Sequence, residues 1–169
     1  GSGPLFVSRF ERIQPLYDDL HYEFTKDKLT DVNKKAKTLL QVNARVWLNE
    51  LRAAEQFPGL QLGEVDDAIM DGWKASGLDA VWLMGVWEPS ERSRTVARSM
   101  TDLKKTAKSI LPDFKPDDIV SSPFAVAGYN PNPDLGDEDD LETFRDGLHR
   151  NDLLLILDFV PNHTALDHP

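Results

Sequence analysis

Two apolar runs constrain this chain more than any other feature: Ala80-Val81-Trp82-Leu83-Met84-Gly85-Val86, and Leu153-Leu154-Leu155-Ile156-Leu157, the latter continuing through Asp158 and Phe159 to Val160. A strand with one wet face alternates apolar and polar residues, whereas these runs do not, as expected for parallel strands covered on both faces. Each follows a segment of helical period. Val65, Ala68, Ile69 and Trp73 recur at i, i+3, i+4 and i+8, and Gly77 then supplies a C-cap. Leu141, Phe144 and Leu148 repeat in the same way after Asp137, whose carboxylate suits an N-cap.

These runs predict the second and third strands of a parallel sheet. A first strand is expected over residues 42–51, where Val46, Trp47 and Leu48 are strand formers and Glu50 falls near the far end. Residues 88–135 read as a long excursion with a helix over 101–110. The remainder, carrying Pro112, Pro116, Pro123, Pro131 and Pro133, reads as loop. Strand, helix, strand, excursion, helix, strand is the order of right-handed βαβ units, which predicts one α/β domain over 42–169. Residues 4–41 read as an N-terminal extension with a helix or two, and Gly1-Ser2-Gly3 as a cloning scar.

Length then bounds the architecture. The 169 residues suffice for one core but fall short of the roughly 250 of a closed (β/α)8 barrel. The formal net charge of −10 argues against nucleic acid as a partner, because phosphate backbones recruit clustered Lys and Arg. The small basic group Lys104, Lys105 and Lys108 reads as a solvated helix face. No cysteine is present, which excludes disulfides and thiolate metal sites. No apolar stretch reaches the roughly 20 residues of a membrane span and no signal-peptide pattern opens the chain, so no membrane partner is expected. Cytoplasmic residence is compatible with this, and localisation stays open.

The chemistry concentrates where the third apolar run ends. In parallel α/β architectures, ligand-binding side chains emerge at the carboxyl ends of strands. The run passes abruptly from Leu157 to Asp158-Phe159-Val160-Pro161-Asn162-His163-Thr164. A carboxylate in such a strand must find donors.

Asp158-Phe159-Val160-Pro161-Asn162-His163 resembles the first conserved region of the α-amylase family of retaining glycosidases and transglycosidases, Asp-x-x-x-Asn-His. Ser122-Pro123-Phe124-Ala125-Val126-Ala127-Gly128-Tyr129 and Asn130-Pro131-Asn132-Pro133-Asp134-Leu135-Gly136 are similar to the segment preceding the third strand there. Val81 to Trp87 resembles the second barrel strand and Arg45 to Leu51 the first. Gly128 departs from the Asp common before the matching Tyr, and Asn151 stands where a helix-ending Gly is usual.

The resemblance implies a partial TIM-type (β/α) barrel with about three parallel strands and flanking helices. It implies that His163 contacts a sugar hydroxyl, with Tyr129 and Phe124 nearby, that Asp158 orients its neighbours, and that Asn162 braces the loop and contributes to a calcium site. The family's catalytic carboxylates come from strands four, five and seven, so no catalytic residue is expected here and the chain reads as an inactive N-terminal fragment. Its partners would be an α-glucan or small α-glucoside in the complete enzyme, a complementing C-terminal barrel segment, or further copies of itself. Two alternatives stand beside it: a non-catalytic partial-barrel module that self-assembles, and one half of a split glycosidase.

Plainer roles compete residue by residue. His163 could be a hydrogen-bonded loop histidine, Asp158 a structural carboxylate, and Trp47, Trp82, Trp87 and Phe124 core or rim aromatics instead of sugar platforms. Asn162-His163-Thr164 matches an N-glycosylation acceptor, but a site at a barrel mouth is a poor one. His163 and His168, five apart, do not share a helical face for zinc.

Overall fold

The computed structural model describes residues 38–169. The chain divides into two units, 1–35 and 36–169, and the second is described here. Residues 1–3, expected to be a cloning scar, and nearly all of the expected N-terminal extension lie outside the described residues.

Three parallel strands form the sheet: β1 (Leu39–Asn43), β2 (Ala80–Met84) and β5 (Leu154–Leu157), adjacent in the order β1-β2-β5. Between β1 and β2 run α1 (Ala44–Ala54) and α2 (Asp67–Ala75). Between β2 and β5 come β3 (Trp87–Pro89), α3 (Glu91–Ser99), α4 (Thr101–Ile110), β4 (Val126–Pro131) and α5 (Glu138–Arg150). The α/β class with three parallel strands and flanking helices is therefore as expected.

The first strand is a correction. It begins at Leu39, ahead of the expected boundary at 42, and Ala44 onward is helix. Asn43 caps that helix by accepting the Val46 N–H at 3.3 Å. Ala44, Trp47, Leu48 and Leu51 fall at i, i+3, i+4 and i+7, so Trp47 and Leu48, read as strand formers, belong instead to the inward stripe of α1, while Val46 is 47% exposed. Trp47 packs on Trp73 and Phe144 with ring centroids 5.4 and 5.9 Å apart. Tertiary burial overrode local strand propensity.

The excursion also holds more structure than expected. The helix at Thr101–Ile110 falls as predicted, but α3 and an antiparallel β3–β4 pair replace predicted loop. Ser90 starts α3 by accepting the Ser93 N–H at 2.9 Å. Neither α3 nor α4 buries a residue fully, so α3 wrote no apolar stripe into the sequence. At the end of α5, Asn151 keeps φ −89° and its side-chain amide donates to the Gly147 carbonyl at 3.1 Å. The left-handed position falls on Asp152, φ 55°, one residue later than the expected site.

Strand register explains the core. Val81 pairs with Leu40 and Leu155, and Leu83 with Val42 and Leu157, so these six share one face. That face packs on Leu48, Met70, Leu141, Phe144 and Leu148 from α1, α2 and α5. The opposite face presents Leu39, Gln41, Trp82, Leu154 and Ile156. Leu39 is 49% exposed and Ile156 39%. Coverage on both faces, expected from the apolar runs, therefore holds for one face only among the described residues.

Candidate functional site

Asp158 follows the last residue of β5, where alternation turns its side chain toward the open face of the sheet. It is only 7% exposed. Its carboxylate accepts from the Trp82 indole N–H at 2.8 Å and the Gly85 backbone N–H at 2.5 Å. Its backbone carbonyl accepts from the Trp87 indole N–H at 2.7 Å. Three hydrogen bonds thus tie the exit of β5 to the exit of β2, and both carboxylate oxygens are used. Gly85 sits at φ +78°, and a Cβ there would lie 2.8 Å from Cβ of Pro123, so a side chain is refused by both conformation and space.

Around this anchor the β3–β4 pair delivers aromatics to the carboxyl edge. Tyr129 stands edge-on to Trp87, centroids 5.4 Å apart, and lies 6.1 Å from Phe159. Its phenol oxygen accepts the Val160 N–H at 2.9 Å. His163 Nε2 lies 3.2 Å from the Phe124 carbonyl. A carbonyl only accepts, so Nε2 carries the hydrogen and Nδ1 is left as the acceptor. Phe124 and Tyr129 are each 37% exposed and Phe159 60%, a partly wet aromatic rim. Oε2 of Glu88 on β3 stands 2.9 Å from the position a Cβ on Gly128 would take, so the Asp common there in the resemblance would displace this carboxylate and set a second one beside it.

Of the sequence-derived candidates, Asp158, His163, Phe124 and Tyr129 therefore gather at one rim. Asn162 is exposed. A single amide oxygen is a poor donor set for calcium, which takes six to eight oxygens. No group of three or more His, Asp or Glu side chains that could hold a metal occurs among the described residues, so the residues present do not fit a calcium centre. Trp82 and Trp87 act as hydrogen-bond donors to Asp158, a role that follows from pairing across strands and leaves no mark in local sequence.

The segment after His163 is fastened back onto the excursion. Ala165, 8% exposed, donates its N–H to the Val126 carbonyl at 3.3 Å. Asp167 accepts from the Ser90 hydroxyl at 2.5 Å and the Arg92 N–H at 3.0 Å. The Ser90 bond, then the Arg92 amide, holds the Asp167 carboxyl below its ordinary value.

A separate cavity of about 120 Å³ opens at the carboxyl ends of β1 and β2, with Asn43, Arg45, Gly85, Arg94 and Asn132 in its walls. Burial pushes the Arg45 guanidinium below its ordinary value; Asp134 opposes this and Arg94 adds to it.

No protein-family model matches the chain, and no curated protein matches it. Among solved structures it is similar to an α-amylase from Lactobacillus plantarum at 20% identity and TM-score 0.47, covering 77% of this chain and 24% of that one. An α-amylase from Geobacillus thermoleovorans complexed with acarbose matches at 24% identity and TM-score 0.42, over 67% of this chain and 19% of that one. A trehalose-6-phosphate hydrolase from Bacillus licheniformis matches at 15% identity and TM-score 0.45, over 78% and 18%. The chain spans about a quarter or less of the length of each. Likeness at this level leaves function to the residues themselves.

Proposed function

We propose that residues 39–169 form the opening three strands, with their connecting helices, of an α-amylase-type barrel, and that the exit of β5 holds an α-linked glucoside. One observation carries this reading. The Asp158-x-x-x-Asn162-His163 run leaves a parallel strand at its carboxyl edge, with Asp158 locked to β2, Val160 bonded to the Tyr129 phenol and His163 bonded to the Phe124 carbonyl. Imidazole Nδ1 offers a hydrogen-bond acceptor to a sugar hydroxyl, and half-exposed aromatic faces offer a surface to a pyranose ring.

Catalysis is not assigned to this chain. Retaining hydrolysis takes two carboxyl groups about 5 Å apart, one of them a free nucleophile. Asp158, with both oxygens accepting, serves as an anchor. The nucleophile and acid would come from a complementing barrel segment, whose natural seat is the open face bearing Trp82, Leu154 and Ile156. Self-association of two copies through that face is the alternative.

Titration with maltotriose, followed by NMR of the His163 ring and the Tyr129 and Phe159 side chains, tests the sugar reading. Shifts at these residues that vanish in His163→Ala are expected, together with no hydrolysis by the chain alone. Millimolar maltotriose leaving all three rings unmoved contradicts it.

A further inference from the structure

The cavity at the carboxyl ends of β1 and β2 shares Gly85 and Trp87 with the Asp158 anchor but contains none of Asp158, His163, Phe124 and Tyr129, and its chemistry differs from theirs. Two arginines face it, Arg45 from the first turn of α1 and Arg94 from α3, both half-buried. Arg94 is paired with Glu91 on its own helix. Arg45 makes no hydrogen bond among the described residues.

The setting of Arg45 opposes its charge. It is partly desolvated, it has Arg94 beside it, and it stands in the first turn of an 11-residue helix, where the macrodipole disfavours cations. Asp134 is the compensating charge, but it is solvent-exposed and makes no ion pair with Arg45, so water screens the attraction.

A third wall residue carries the same message. Asn132 is only 6% exposed, and its Oδ1 accepts the Asp134 N–H at 3.0 Å. That bond fixes the amide orientation and leaves the NH2 group without a hydrogen-bond partner among the described residues. Among the described residues no fully enclosed side-chain nitrogen or oxygen lacks a partner, so this NH2 keeps some access to solvent, and Asn132 lines the cavity. An NH2 and two guanidinium groups therefore share one small space with the carboxylates of Glu91, which is paired with Arg94, and Asp134.

We infer that this cavity binds a phosphate group, gripped by Arg45, Arg94 and the Asn132 amide. Guanidinium forks match phosphate oxygens two at a time, and a charged acceptor supplies the partner that Arg45 lacks. The volume of about 120 Å³ equals roughly four waters at about 30 Å³ each, room for a tetrahedral oxyanion. The net charge of −10 disfavours anions over the surface as a whole, so binding depends on this local arrangement.

Inorganic phosphate and glucose 6-phosphate, titrated at constant ionic strength against chloride and followed by the Asn132 side-chain and Gly85 backbone amide resonances, test the assignment. Saturable shifts are expected with both or with the one that is the natural source, free or esterified phosphate. Arg45→Gln should weaken binding about tenfold or more, which is about 1.4 kcal/mol. Asp134→Asn, which removes a repelling carboxylate, should tighten it. Absence of saturable shifts in the unaltered protein overturns the assignment. So does weaker phosphate binding by Asp134→Asn, since removing a carboxylate from a phosphate site cannot loosen it by charge; these two readouts stand even if Arg45→Gln fails to fold.

Discussion

Replacing Asp158 by Ala strands the Trp82 indole N–H and the Gly85 amide in a site that is 7% exposed. Leaving buried donors unpaired costs about 2–4 kcal/mol, while Asp158→Asn, which keeps one acceptor oxygen, should cost about half as much. Urea denaturation of the two variants measures the difference; equal losses would show that packing, not the two hydrogen bonds, sets the effect. Asp167 lends itself to a pH test. Its carboxyl is held below the ordinary value by Ser90 and Arg92, so its contribution is complete above about pH 4 and is lost as pH falls through the lowered folded value. The stability gap between the parent and Asp167→Asn should therefore narrow as the pH is lowered below about 4. A gap that stays constant would show that the charge is not what fastens the tail.

Helix α5 offers two predictions at the scale of elements. Asp137 accepts the Asp140 N–H at 3.1 Å while Asp140 accepts the Asp137 N–H at 2.9 Å, a reciprocal cap. Asp137→Ala should cost about 1 kcal/mol in thermal or urea unfolding. Gly147 in the same helix would gain about 1 kcal/mol of helix propensity as Ala. Its new Cβ, however, would stand 2.7 Å from the sulfur of Met70, itself 1% exposed and unable to swing away freely. Overpacking of about 1–3 kcal/mol outweighs the gain, so Gly147→Ala should lower the unfolding midpoint. A raised midpoint would mean that Met70 repacks at little cost. The Asp137 cap, the stripe of α5 and the Gly77 turn at φ +83° were all legible in the sequence because each follows from local periodicity or backbone freedom. Helix α1 was not, since Val46-Trp47-Leu48 suits either element until Trp73 and Phe144 arrive to cover it. Helix α3 escaped notice for the opposite reason: with no fully buried residue, it lacks the apolar stripe that announces a helix.

Among the described residues the sheet carries helices on one face and leaves Leu39 and Ile156 partly exposed on the other. Open apolar sheet faces and strand edges associate. Ile156→Lys should therefore cost less than about 1 kcal/mol, as expected for a surface position, and shift the sedimentation profile toward monomer. A parent protein that stays monomeric at high concentration removes the self-association reading. The order of residues already specifies the α/β class, two of the three parallel strands and the polar cluster at the exit of the third, because burial on a strand and emergence at its end are written into consecutive residues. Long-range packing is what lets Trp82 and Gly85 saturate Asp158, lets Tyr129 hold Val160, and brings Arg45, Arg94 and Asn132 to one cavity. Those contacts join residues from 31 to 87 positions apart, and their placement is set by strand register and crossover geometry, which no local pattern encodes.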